Sequence, residues 1–277
     1  MIRSLSIPVV LAAAALAGAP PRAAAQSLAE RVASAPGEVV EFHFASRPGV
    51  CGDGHHFIAL GQSMFMGSSS GEWGDAEWRQ ECVPGPVRVV VTRHEHHLER
   101  IRAYAGPLPA GTATGVTDLG NVPASDAAAY LLSLAKREDG SVSEQAILPA
   151  VLADSAVVWP RLLAIARDDT TRGHSTRQTA AFWLGRFAAA ALTHTTLGAP
   201  RDEDGDIEDG TTDADVRGEA VFALSQLKHH AGVPSLIRVA RTNAHPHLRR
   251  TAVFWLSQSG DSRALDFFEA VLRASGR

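Results

Sequence analysis

The sequence is poor in several features that would each point to a function. It has only two cysteines, Cys51 and Cys82, and no C-x-x-C pair that would fix a metal site. Its formal net charge is -4, which argues against nucleic-acid binding because the phosphate backbone requires a basic surface. After the first residues, no apolar run is long enough to cross a bilayer. A hydrophobic fraction of 45% in 277 residues still predicts one or two folded domains with a sizeable core.

The first residues, MIRSLSIPVVLAAAALAGAPPRAAAQ, have the pattern of a secretory signal peptide. A basic residue, Arg3, precedes an apolar run, and three alanines stand before Gln26. A retained membrane helix is the alternative, but prolines and Gly18 interrupt the run. We therefore expect a leader at residues 1–25 and an exported protein, periplasmic or extracellular, with no membrane span after cleavage and a more acidic mature chain.

Both cysteines lie in the first third of the chain. Export would place them in an oxidising compartment, which favours a Cys51–Cys82 disulfide. Two unpaired thiols are the alternative. A nucleophilic Cys51 activated by His55 is a further possibility, which the second cysteine disfavours.

Residues 26–123 predict a small β-rich domain. In EVVEFHF the apolar residues Val40, Phe42 and Phe44 alternate with polar ones, which is the period of a strand. The stretch VRVVVTRHEHHLERIRAY alternates twice and predicts a hairpin that turns between Arg93 and His97. We expect a small antiparallel sheet stapled by the disulfide.

Residues 124–277 predict helices only, and one helix is written three times: RQTAAFWLGRF, RGEAVFALSQL and RRTAVFWLSQSG. In every copy, Arg is followed at fixed intervals by Ala, Phe and Leu. These residues are Arg177, Ala180, Phe182 and Leu184; Arg217, Ala220, Phe222 and Leu224; and Arg249, Ala252, Phe254 and Leu256. The second and third copies start about 32 residues apart, and the first and second about 40, which is the range of an α-solenoid period. An acidic insertion at 198–215 explains the longer interval. The predicted fold class is α+β, a β-domain followed by an all-α solenoid.

The composition of the repeated helix indicates how it packs. AVFWLS is apolar at nearly every position, so the helix needs cover on two sides. We expect Ala and Leu to face the partner helix, and the aromatic residues to fill the layer between repeats. Each Arg is expected to bond an acidic group or a carbonyl of the next repeat, with a ligand groove lined by the three arginines as the alternative. Because Ala223 stands where the other copies have Trp183 and Trp255, we expect thinner or offset stacking at 198–224.

These units resemble the short bacterial HEAT repeats, also called PBS-lyase HEAT-like repeats. In that family the first helix carries R-x-x-A-x-x-x-L and the second begins with V-P-x-L. The matching residues are Arg217, Ala220, Leu224, Val233, Pro234 and Leu236, and then Arg249, Ala252 and Leu256. The resemblance covers about residues 141–277. It implies an α-solenoid that serves as a binding scaffold, and it specifies no chemistry.

Two enzyme groups with such repeats fit poorly. Deoxyhypusine hydroxylases hold iron with His-Glu pairs on successive repeat helices, whereas the one such pair here, His94-Glu95, lies in the predicted hairpin. Phycobilin lyases act on a chromophore that an exported protein of this kind would not meet. We therefore expect no catalytic residues and no cofactor.

Two ion sites stay open as alternatives. His94 and His96 would share a strand face near His97, and together with His55 and His56 they suggest a possible Zn or Cu site. The acidic loop places Asp202, Asp204 and Asp206 in calcium-loop spacing. However, Ile207 stands where that loop requires Gly, and Asp213 where it requires Glu, so a solvated acidic linker fits better.

The sequence thus predicts an exported, non-enzymatic scaffold that binds another protein through its helical array. A metal- or ligand-binding activity in the His-rich β-domain, with the helices as a docking arm, is the alternative.

Overall fold

The structure is a computed structural model that describes residues 26–61, 63–66, 82–95, 97–168, 173–198 and 212–276, without the side chains at 63–66 and 212–216. Three expectations lie outside these residues: the leader at 1–25, a ligand role of His96, and the calcium-like loop within the acidic insertion.

The first part of the described chain begins with one short helix, which was not predicted from the sequence, and continues with strands, and the second part is helical. The strands are β1 (Val39–Phe44), β2 (Val50–Gly52), β3 (Phe57–Leu60), β4 (Ser63–Met66), β5 (Val83–Pro84), β6 (Val87–His94), β7 (His97–Ala105) and β8 (Val116–Asn121). The helices are α1 (Leu28–Ser34), α2 (Ala124–Arg137), α3 (Gly140–Gln145), α4 (Ile147–Leu152), α5 (Trp159–Ala166), α6 (His174–Leu192), α7 (Thr212–Ser225), α8 (Val233–Thr242), α9 (Pro246–Gln258) and α10 (Ser262–Ala274). The change from strand to helix falls at the predicted place, between Asn121 and Ala124.

The larger sheet has the strand order β7-β6-β1-β8. Its β6–β7 hairpin confirms the predicted one, and Val40, Phe42 and Phe44 of β1 are fully buried on the face that the alternation indicated. The prediction of a purely antiparallel sheet is wrong in one strand, because β8 pairs parallel to β1. The ten residues between Ala105 and Val116 carry the chain from the Phe44 end of β1 back to its Val39 end, where β8 begins.

The smaller sheet has the order β4-β3-β2-β5 and carries the disulfide. Cys51 lies on β2, beside β5, and it is bonded to Cys82, which immediately precedes β5. The Cys51–Cys82 disulfide is therefore present, as predicted. It links β2 to the residue just before β5, and the two cysteines are 31 positions apart in the sequence.

Two arginines, the buried Arg93 and the half-buried Arg47, attach helix ends to the sheets. Arg93, at the end of β6, donates hydrogen bonds to four carbonyls at and beyond the end of α1, those of Val32, Ala33, Ala35 and Gly37. Such carbonyls have no partner within the helix, so a forked donor satisfies several at once.

Arg47, in the loop after β1, joins the sheet region to the helices. It donates to the carbonyls of Val151, Ala153 and Ala156 around the end of α4, and its guanidinium lies 5.4 Å from the ring centroid of Phe187 on α6. Burial lowers the pKa of Arg47, and Asp154 partly offsets this. The buried residues of strands and helices form one continuous hydrophobic cluster, so the two parts share a core. Whether residues 26–123 and 124–277 are separate domains stays a prediction.

The repeated helices do not stack in chain order. The helix of the first copy, α6, packs extensively on α5, α9 and α10, whereas that of the second copy, α7, packs on α8 and α9. The third copy, α9, therefore lies between the other two. The second copy is therefore not placed on the first, and the α-solenoid stays a prediction. The expected thinner or offset stacking at 198–224 lies partly outside the described residues.

The contact between α6 and α9 is unusually close. A Cβ atom added to Gly185 of α6 would lie 2.8 Å from the Cβ of Ser257 on α9, and 3.5 Å from the carbonyl oxygen of Val253. The two helix backbones thus approach each other because one side chain at the crossing is missing and the other is small.

A second internal similarity becomes visible in the structure. The α5 sequence WPRLLAIAR and the α8 sequence VPSLIRVAR both place Pro in the first turn and precede an Arg-Ala-Phe-Leu helix. Leu162 and Leu236, at equivalent positions, are both fully buried. The chain therefore contains two related helical hairpins, α5–α6 and α8–α9, which pack against each other through α6 and α9.

Replacing both Cys51 and Cys82 with Ser should lower the free energy of unfolding. The chain-entropy model gives a loss of about 3 to 4 kcal/mol for a loop of this size. Denaturant unfolding monitored by circular dichroism measures the loss. An unfolding midpoint equal to that of the wild type would show that the disulfide contributes no stability.

Gly185→Ala should destabilise the protein, while Gly218→Ala on α7 should not. A Cβ at Gly218 meets nothing within 4 Å, so the change should stabilise that helix by about 0.5 to 1 kcal/mol. The same change at Gly185 forces α6 and α9 apart and should cost about 1 to 3 kcal/mol. Thermal denaturation compares the two variants, and Ser257→Gly should restore part of the stability of Gly185→Ala. Equal effects of the two substitutions would contradict the close crossing.

Candidate functional site

Two of the three motif arginines connect the helices of a hairpin. Arg249 donates to the carbonyls of Asn243 (2.8 Å) and Ala244 (3.1 Å), just after α8, and Arg177 donates to the carbonyl of Asp168 (3.1 Å), just after α5. The expectation of a carbonyl partner holds for both, but the carbonyl belongs to the loop that precedes the helix. Both arginines thereby satisfy backbone groups at the end of the preceding helix.

The arginine of the second copy has a different neighbour. A terminal nitrogen of Arg217 lies 3.1 Å from Nε2 of His245, at the start of α9. It thus links α7 to the third copy, in agreement with the order of the helices. The three arginines bond to three different places, so the alternative of a shared ligand groove receives no support from these contacts.

The small and aliphatic motif positions are buried in two copies only. Ala180, Leu184, Ala252 and Leu256 are almost completely inaccessible to solvent. In α7 the equivalent Ala220 is exposed and Leu224 is only half-buried. The difference follows from the packing, because α6 and α9 lie inside the array and α7 lies at its end.

The aromatic positions correct the sequence-based expectation. The phenylalanines and tryptophans were both expected to fill the layer between repeats, but 45% of the surface of Phe222 and 46% of that of Phe254 is exposed. Trp183 is buried, and Trp255 packs on Phe222 of α7 with 5.1 Å between ring centroids, so the tryptophans fill more of the layer than the phenylalanines do. The reason is geometric, since one residue along a helix turns the side chain by about 100°.

Phe222, Trp255 and Phe254 form a continuous aromatic surface, which we call the aromatic strip. Trp255 lies 5.1 Å from each phenylalanine ring, measured between centroids. On the first copy Phe182 is half-buried, and Arg186 lies over the rings of Phe182 and Trp183. The aromatic strip lies on α7 and α9. Among the described residues, no guanidinium lies over the rings of Phe222, Trp255 or Phe254.

A separate cleft of about 640 Å³ lies between α1, α2 and α5. Its floor includes Leu28, Tyr130 and Ile165, and Lys136 and Arg161 stand among its polar lining residues. Burial raises the pKa of Tyr130 to about 12, the reverse of what a catalytic phenolate needs. The other polar lining residues of the cleft are Ser27, Ser133 and Asp126.

The histidines suggested as metal ligands lie in different places. His56 and Asp53 form a local pair at 2.7 Å in the smaller sheet, and His94 faces Glu38 at 3.2 Å beside the hairpin. Within the described ranges, no group of three or more His, Cys, Asp or Glu is close enough to hold a metal ion.

Asp53 has a structural function in the loop after β2. Its Oδ1 accepts hydrogen bonds from the amides of His55 (2.9 Å) and His56 (2.7 Å). Burial alone would raise the pKa of Asp53, but these hydrogen bonds outweigh it and hold the pKa well below its usual range. The carboxylate therefore orders the turn that places both histidines on the surface.

Cys51 forms the disulfide with Cys82, so its sulfur is not a free thiol that could act as a nucleophile.

Comparison with known proteins identifies only the last part of the helical region, without α6. In the described residues no helix is long and apolar enough to cross a membrane. No curated protein and no solved structure matches the chain. Residues 205–276, which include α7 to α10, match the family model of HEAT repeats, and this match supports a HEAT-repeat protein.

Proposed function

We propose that this protein is an exported, non-enzymatic scaffold that binds another protein through its helical array. HEAT repeats generally mediate protein–protein interaction, and the family match covers the helices that carry the aromatic strip. The observation that carries the proposal is the half-exposed state of Phe222 and Phe254 in an array whose other large apolar residues are mostly buried.

The aromatic strip has the properties of a binding anchor. Large aromatic side chains bury much apolar area at low entropic cost, and they dominate the energetics of many interfaces. Contiguous exposed apolar surface on a folded protein marks interaction sites more often than chance. Trp255 packs against both phenylalanine rings, so the three side chains already form one surface that a partner can contact.

Two further observations support the other parts of the proposal. A disulfide is stable chiefly in oxidising compartments, which agrees with export under the leader-like segment at 1–25. The HEAT repeats at residues 205–276 belong to a kind of array that generally mediates protein–protein interaction, which is the reason for proposing a binding function rather than a catalytic one.

A photo-crosslinking residue in place of Phe254 should capture a discrete partner in the native host. The matched control is Val157, which is 67% exposed in the loop before α5 and lies away from the strip. Phe222→Ala should lower the yield at position 254 about ten- to thirtyfold, which is the loss expected for a truncated hot-spot aromatic. Equal yields from positions 254 and 157 would contradict binding at the strip.

Export makes a separate prediction. Expressed with its full sequence, the protein should be recovered with an N-terminus at or near Gln26, because the alanines before it form the expected cleavage site. Intact-mass spectrometry of the purified protein measures this. A protein that retains Met1 and stays in the cytoplasm would show that residues 1–25 are not a leader.

A further inference from the structure

The cleft between α1, α2 and α5 has the size and the surface of a small-molecule site. Its volume of about 640 Å³ lies within the range of about 300 to 1,000 Å³ that such sites occupy. Its floor consists of buried apolar and aromatic side chains, those of Leu28, Tyr130, Leu132 and Ile165. The cleft is therefore mainly apolar and has room for a hydrocarbon chain.

Small side chains keep the cleft open. Ala129 and Ser133, one turn apart on α2, line it on one side, and Ala164 of α5 lines it on another. Ala164 is exposed, so the cleft is open to solvent at this point. A ligand can thus reach the apolar floor without a movement of the helices.

Two cations of the lining have no partner in the described part of the chain. Lys136 and Arg161 are exposed, and neither side chain makes a hydrogen bond, an ion pair or a ring contact with the described residues. The two serines of the lining already have partners: Ser27 caps α1, and Ser133 donates to a backbone carbonyl of its own helix. Positive charge is therefore available at the cleft for a ligand that carries the opposite charge.

The acidic residue of the lining leaves this charge in place. Asp126 lies in the first turn of α2, where the positive end of the helix dipole offsets its charge. Lys136 is ten residues further along the same helix, about 15 Å away at 1.5 Å per residue. The phenol of Tyr130 stays neutral because burial raises its pKa to about 12. The cleft is thus apolar on its floor and, away from Asp126, bordered by unpaired cations.

We propose that this cleft binds a single-chain amphiphile with an anionic head, of the type of a medium-chain carboxylate. The chain lies on the apolar floor, and the head accepts hydrogen bonds from Lys136 and Arg161. Hydrogen bonds between charged partners are the stronger ones, and a guanidinium can bond both oxygens of a carboxylate. The site lies on other helices than the aromatic strip, so it is independent of the proposed protein binding.

Isothermal titration calorimetry with three amphiphiles tests the ligand class. Decanoate should bind about four- to fifteenfold more tightly than octanoate, because its two additional methylenes are buried in the cleft. Decyltrimethylammonium has the same chain length and a positive head. It should bind at least about tenfold more weakly than decanoate, because its charge is that of Lys136 and Arg161.

Two sets of variants locate the site. The double variant Lys136→Gln/Arg161→Gln should weaken decanoate binding about ten- to a hundredfold. Its matched control, Lys228→Gln/Arg238→Gln, removes two exposed cations from other helical segments and should bind as the wild type does.

Ala164→Trp fills the cleft from its open side and should weaken binding to a similar degree. Ala270→Trp at an exposed position of α10 is the control. Circular dichroism melts identify any variant that fails to fold.

Three results would overturn the proposal: no binding of decanoate at millimolar concentration by calorimetry and equilibrium dialysis, equal affinity for the two head groups, or unchanged binding in both cleft variants. Decanoate binding that persists in Phe254→Ala would show that the cleft acts separately from the aromatic strip.

Discussion

The close crossing of α6 and α9 at Gly185 and Ser257 determines how the helical half of this protein is arranged. Because these two helices approach so closely, the hairpins α5–α6 and α8–α9 form a single packed block, and α10 fits against α6 beside them. Arg167 at the end of α5 bonds Asp266 and Glu269 of α10, at 2.6 and 2.7 Å, and adds a polar contact across the same junction. Exposed ion pairs of this kind contribute little stability, so the apolar crossing is the main constraint.

The exposed features follow from that constraint. With α9 placed on α6, the second copy can pack only on the outer side of α9, and α7 becomes the end of the array. Its position leaves Phe222 at the surface beside Trp255, and it leaves Ala220, Ala223 and Leu227 without cover. The aromatic strip, which lies on α7 and α9, is therefore a consequence of this packing. An exposed aromatic surface of this kind fits the proposed scaffold function.

Local patterns predicted the parts of the fold that depend on neighbouring residues. The β6–β7 hairpin follows from alternation around a short turn, and burial of Ala180, Leu184, Ala252 and Leu256 follows from the apolar helix period. The parallel strand β8 was not predictable in this way, because VTDLGN has no clear alternation and is half-buried at most. The order of the copies depends on contacts between distant segments, and three nearly identical helices contain little information about which pairs form. Only two residues in the sequence hinted at this order: Gly185, at the crossing of α6 and α9, and Ala223, which replaces a tryptophan in the copy at the end of the array.

The most direct test of this account measures which copies are neighbours. Arg186, Gln258 and Gln226 occupy equivalent positions after the motif arginines of α6, α9 and α7, and each can carry a spin label. Neighbouring helix axes lie about 8 to 10 Å apart, and axes separated by one helix about twice as far. Pulsed electron paramagnetic resonance should therefore give a shorter distance for the pair 186/258 than for the pair 186/226. The reverse order, with 226 closer to 186, would mean that the copies stack in chain order and would contradict the account.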